Sequence, residues 1–124
     1  MQNTESTAKS FLDLIVWQKG HQLVLRIYDL TDPFPRRETY GVVKQIRDAA
    51  VSICTNIAEG FKRRGKLDKA RFMNISQGSL EEVRYLLILS RDRRYAQIDD
   101  VMPMVDEVAE LQEAYRQAIL DSRF

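Results

Sequence analysis

Few residues in this chain could do chemistry, and their spacing narrows them further. The one histidine, His21, has no Glu-x-x-His partner motif, which removes the carboxylate-rich di-metal site that helical bundles can build. His21 instead stands beside Trp17 and Val24 in a helical pattern, as a structural or interfacial histidine. Cys54, the lone cysteine, falls inside an apolar helical run and reads as a small buried hydrophobe in a reducing compartment. No serine or cysteine can be placed with a base and an orienting acid, and Gly60 and Gly65 do not make a phosphate loop. No catalytic residue, metal site or cofactor is expected.

Two sets of polar residues remain. Gln45, Ser52, Asn56 and Glu59, with Ala49, form a stripe beside the apolar Ile46, Ala50, Ile53 and Ile57. Facing another helix, they make a structural network with Ser79, in which Arg71, or Arg47 of a second copy, could hold Glu59; a small pocket at Asn56 and Glu59 is the alternative. The second set is basic. Residues 34–72 hold ten Lys or Arg against four Asp or Glu, a net +6, while residues 97–124 hold two against seven, a net −5. The chain's formal charge of +1 is a sum of these opposites. Lys62, Arg63, Arg64, Lys66, Lys69 and Arg71, with Arg36, Arg37, Lys44 and Arg47, are the candidates for contacting phosphates of RNA or DNA. The same cations could answer helix dipoles, or mate with the acidic segment of another copy.

The elements that must position these residues are helices. No segment shows the alternation of a strand, so the class is all-α. The spacing predicts a first helix over residues 11–30, with Leu12, Val16, Leu23 and Ile27 on one face and Trp17, His21, Val24 and Tyr28 beside them. A second is expected over residues 35–63, roughly 40 Å long. A third, over residues 67–94, carries Phe72, Ile75, Ser79, Leu86 and Leu89 inward. A fourth runs to about Asp121, capped by Asp99 or Asp100, with Pro103 in its first turn. Gly78, costing about 1 kcal/mol of helix propensity, suggests close helix approach. Short links favour an antiparallel up-down-up-down four-helix bundle, a single domain over residues 11–124 behind a disordered tail of residues 1–10. With no apolar leader and no membrane-length window, a cytoplasmic protein is expected.

Four motifs, FxDLxVWQ at residues 11–18, IYDLTDPFPRRETYG at 27–41, QIRDAAVSICTNIAEG at 45–60 and GSLEE at 78–82, resemble proteins of the 23S ribosomal RNA intervening-sequence family. The resemblance implies an antiparallel four-helix bundle that assembles as a homopentamer. It also implies kinship with the accessory variability proteins of diversity-generating retroelements, which bind nucleic acid and a reverse transcriptase. Two positions depart from the family pattern. Asp48 stands where a basic residue is usual, weakening a basic face, and Arg94 precedes Tyr95 where a glycine is usual. A nucleic-acid scaffold is one functional expectation. A protein-interaction module whose basic and acidic faces mate between copies is the other.

Overall fold

The computed structural model describes residues 7–122, and residues 1–6 of the expected tail lie outside them. Among the described residues there is no strand, and no helix is long and apolar enough to cross a membrane. Four helices form the bundle: α1 (Ile15–Thr31), α2 (Lys44–Lys62), α3 (Lys66–Asp92) and α4 (Met102–Asp121). Each packs on its neighbours in sequence, and α1 closes the square against α4. Side-chain pairs fix the directions. Arg47 reaches Tyr28 and Thr31 across α1 and α2, Ser52 meets Ser79 across α2 and α3, Arg84 meets Asp106 across α3 and α4, and Arg26 reaches Asp100 before α4. A second pair at each contact gives the sense, Gly20 packing on Cys54, Gly60 on Phe72, Gln77 meeting Glu113 and Lys19 meeting Glu107, so rising numbers on one helix meet falling numbers on the next and the bundle runs up-down-up-down.

The core is aliphatic. Leu23, Ile27, Ile46, Ile53, Ile57, Leu80, Val83, Leu87 and Val105 are wholly buried, at spacings of three and four residues along each helix. One polar group lies at its centre. The Ser76 hydroxyl donates to the Ile53 carbonyl at 2.8 Å and accepts from Gln112 Nε2 at 2.9 Å, joining α2, α3 and α4. All of it is buried, so each bond is made in a low dielectric and is costly to leave unmade.

Helix packing is closest at two glycines. A Cβ added to Gly60 would lie 2.8 Å from Cβ of Phe72, and one on Gly20 would lie 3.2 Å from Cys54 Sγ. Gly78, expected at such a contact, is exposed with nothing within 4 Å of an added Cβ. The crossing of α2 and α3 is set lower in the bundle, at Gly60.

Three expected elements are corrected. The first helix begins as a separate 3-10 turn, Phe11–Asp13. There the Ser10 hydroxyl accepts from the Leu12 N–H while Asp13 accepts from the Ser10 N–H, and extended Leu14 turns into the core before α1 starts. The second helix is interrupted. A 3-10 turn, Arg36–Glu38, and a π turn, Thr39–Val43, precede α2, and Gly41 is non-helical at φ −104°, ψ −115°. Glu38 is the cause: its carboxylate accepts from the Val42 N–H and the Tyr95 hydroxyl, and a Cβ at Gly41 would meet it at 2.6 Å. The Tyr95 hydroxyl, then the Val42 N–H, with Arg37 and Arg93 nearby, hold the Glu38 carboxyl below its ordinary pKa. Finally, Asp100 does not cap α4. Its carboxylate bonds Arg26 at 3.1 Å, and Val101 occupies the N-cap without a side-chain bond.

In α3 the inward stripe is Met73, Ser76, Leu80, Val83 and Leu87, with Phe72 and Leu86 buried on its α2 flank. Ile75, expected inward, lies past that flank and is 41% exposed. The helix ends in a left-handed turn at Arg94, φ 64°, the one positive φ at a non-glycine residue among the described residues. The Tyr95 N–H then returns to the Ser90 carbonyl.

Three substitutions separate these constraints in denaturant unfolding. Gly60→Ala forces Phe72 away and should cost about 1–3 kcal/mol. Ser76→Ala strands Gln112 in the core and should cost about 1–3 kcal/mol. Arg94→Gly relieves the left-handed residue and should stabilise by up to about 1 kcal/mol. A neutral Gly60→Ala or Ser76→Ala would disprove the constraint assigned to it.

Candidate interaction surfaces

The ten candidate phosphate ligands do not form one basic face. Lys66 Nζ donates to the carbonyls of Leu120 and Ser122 at 3.2 and 2.8 Å, closing the C-terminus of α4. Lys69 does the same for α2, donating to the Phe61 carbonyl at 2.6 Å. Helix C-termini expose four carbonyls and a negative dipole end, so a nearby ammonium is drawn inward. Arg63 and Arg71 both share Asp68 and sandwich Phe72, their guanidinium carbons 4.5 and 4.7 Å from its ring centre. Lys44 pairs with Asp48, the acidic residue one turn along. Arg47 donates to the Thr31 hydroxyl, the Tyr28 carbonyl and Asp32, and covers the Tyr28 ring at 4.4 Å. It is a clamp on the end of α1.

Arg36, Arg37, Lys62 and Arg64 remain, exposed and without a hydrogen bond or ion pair among the described residues. Arg36 and Arg37 lie on the 3-10 turn before α2, Lys62 and Arg64 at the other end of that helix, so the free cations are divided between the two ends of the bundle.

The expected polar network is smaller than its sequence stripe. Ser52 and Ser79 hydroxyls meet at 2.8 Å, and Asn56 Nδ2 donates to the Ser52 carbonyl and hydroxyl at 2.8 and 3.0 Å. Gln45 and Glu59, expected to face another helix, are exposed. The helix turn carries both past the contact line, and Arg71 bonds Asp68 on its own helix instead of Glu59. Glu59 borders only a shallow hollow of about 320 Å³ with Ala58, Lys62 and Arg63.

Sequence reasoning passed over an apolar surface. Between α1 and α2 runs a groove of about 330 Å³ lined by Phe11, Trp17, His21, Val24, Val51, Cys54, Thr55 and Ala58. Phe11 meets Trp17 edge-on, and His21 stacks on Trp17 at 5.1 Å and 8°. Burial pushes the Cys54 thiol up to about 12, so it sits in the groove as an inert apolar group and not a nucleophile. The signal was the second stripe on the first helix, Trp17, His21, Val24 and Tyr28, broader than contact with one neighbour requires. A larger cleft of about 670 Å³ at the opposite end includes Arg91, Arg94, Gln97 and Asp99, but its charge is mixed and Arg91 is tied to Asp92. Among the described residues, no group of His, Cys, Asp and Glu could hold a metal ion.

The fold has a known counterpart. A protein of unknown function from the S23 ribosomal protein family of Bacteroides thetaiotaomicron superposes with a TM-score of 0.61 at 19% identity, over 86% of this chain and 95% of that one. No curated protein matches significantly. The family description for the 23S rRNA-intervening sequence protein matches residues 12–117, nearly the whole bundle. With the motifs and the four-helix architecture in agreement, the chain belongs to the 23S rRNA-intervening sequence protein family.

Proposed function

We propose that the chain is a non-enzymatic, self-assembling helical bundle that serves as a scaffold for nucleic acid. The observation that carries the assembly is the open groove at Trp17: a bundle with a closed aliphatic core still leaves aromatic and aliphatic surface on its α1/α2 side. A ring of five copies is the form that the family resemblance implies. A reverse transcriptase is the protein partner that kinship with accessory variability proteins would add.

Phosphate contact falls to the cations that the fold does not consume. In a ring, Arg36 and Arg37 would repeat around one rim and Lys62 and Arg64 around the other, turning modest charge on each chain into two concentrated fields. The competing reading, in which basic helices mate with the acidic fourth helix of another copy, is weakened by pairs already made within one chain. Asp106 holds Arg84, Glu107 holds Lys19, and Glu113 holds Arg116 and Gln77.

Fluorescence anisotropy of labelled RNA and duplex DNA, titrated at several salt concentrations beside native mass, tests the reading. Joint replacement of Arg36, Arg37, Lys62 and Arg64 by Ala should flatten the dependence of log affinity on log salt, by about 0.9 per lost contact on duplex DNA and about 0.7 on single strands. Lys66→Ala and Arg47→Ala should lower thermal stability and leave that slope in place, since their cations serve carbonyls. Failure of the assembled protein to bind at low salt would remove the nucleic-acid role.

A further inference from the structure

The groove between α1 and α2 has a counterpart elsewhere on the same molecule. On α3, Ile75, Gly78, Glu82 and Tyr85 recur at intervals of three, four and three residues, the spacing of a helix stripe that meets another helix. All four are exposed, Ile75 at 41% and Tyr85 at 60%. Gly78 sits in open space where any larger residue would serve the isolated helix better. Glu82 makes no ion pair among the described residues, and neither does Glu59 on the same side of the bundle. The α1/α2 side is therefore concave and aromatic, whereas the α2/α3 side carries a convex aliphatic and aromatic stripe.

Building on the self-assembly proposed above, we infer that the contact between copies is head-to-tail: the groove of one copy receives the Ile75–Tyr85 stripe of the next. Register within the chain supports the match. Ser76 bonds the Ile53 carbonyl, and Gly20 packs on Cys54, so Ile75 stands level with the groove residues Cys54 and Thr55. Ser52 meets Ser79, so Tyr85, six residues on, stands level with Ile46 and hence with Arg47 and its Tyr28 clamp. In a ring whose axis follows the bundle, equal levels meet. Ile75 enters the groove beside Trp17 and Thr55, Tyr85 stacks on the Tyr28 and Arg47 pair, and Glu59 comes level with Lys62 of the next copy. Gly78 lets the two backbones approach.

Unlike surfaces on one molecule generate a closed ring when their angle fits, and an open filament when it does not. The two surfaces here occupy adjacent sides of a square bundle, about 90° apart, an angle that closes after about four copies, and a modest opening to about 108° closes after five. A self-matching contact of one side with itself would stop at a dimer.

Disulfide trapping distinguishes these arrangements, because the chain has a single cysteine to remove. In a Cys54→Ala background, Thr55→Cys and Ile75→Cys variants are prepared separately and oxidised with copper phenanthroline. Neither alone should cross-link. Their mixture should give covalent dimers, and the variant carrying both cysteines should give a ladder ending at the ring size. Dimers from either variant alone, or no product from the mixture while native mass reports an intact oligomer, would overturn the head-to-tail contact and leave self-assembly standing. A monomeric wild-type chain by native mass would overturn both. As a second readout, Ile75→Glu, at an exposed position, should release monomers whose helix content matches wild type; an unchanged oligomer would count against the contact.

Discussion

The Ser76 hydroxyl occupies the place where α2, α3 and α4 meet, and the register of the bundle depends on it. Apolar side chains alone would let α3 slide by a turn at modest cost, since Leu80, Val83 and Leu87 could each pack against many aliphatic partners. A buried hydroxyl that must donate to one carbonyl and accept from one amide has a single satisfactory position. Gly60 adds a steric limit below it, because only a glycine admits Phe72 at that distance. Together they set which residues stand level on different helices. The levels of Thr55, Ile75, Tyr28 and Tyr85, and so the match between the groove and the α3 stripe, follow from this register together with the Ser52–Ser79 bond, the packing of Gly20 on Cys54 and the Arg47 clamp on Tyr28.

The basic residues show how a charge count misleads when helix ends compete for the charges. Lys66 and Lys69 sit in the same sequence cluster as Arg64, yet their ammonium groups turn inward to the last carbonyls of α4 and α2. Those carbonyls would otherwise be unsatisfied, so the internal contact outweighs a free position in solvent. Arg47 is the clearest case, spending its planar fork on Thr31, Tyr28 and Asp32. What remains available to an outside partner is set by the fold: exposed cations that no hydrogen bond or close ion pair ties to the bundle.

Much of the architecture was legible because helix periodicity is a local signal. The stripe Ile46, Ala50, Ile53 and Ile57 placed α2 in the core, and Ser52 was expected in one network with Ser79, whose hydroxyl it meets. Three kinds of feature were not legible. The break at Gly41 depends on Glu38 finding Tyr95, 57 residues away. The buried Gln112 looks like any solvent-facing glutamine until Ser76 stands beside it. The aromatic groove was visible as a second stripe on the first helix, but a stripe does not say whether its own chain will cover it.

That last distinction carries the functional argument. Four helices in a square can each bury one inner face and part of two flanks, so an apolar residue on the outer edge of a flank has no neighbour to meet. Trp17, Val51 and Ile75 stand on such edges. A single copy could remove the mismatch by polar replacement at these positions without touching the core, since their outward atoms contribute little to it. Retaining them while burying the core completely is what a chain does when its folded surface is itself a packing unit. In the ring proposed above the bundle would be half of two interfaces, and the cations at its ends would be arranged by the assembly and not by the single subunit.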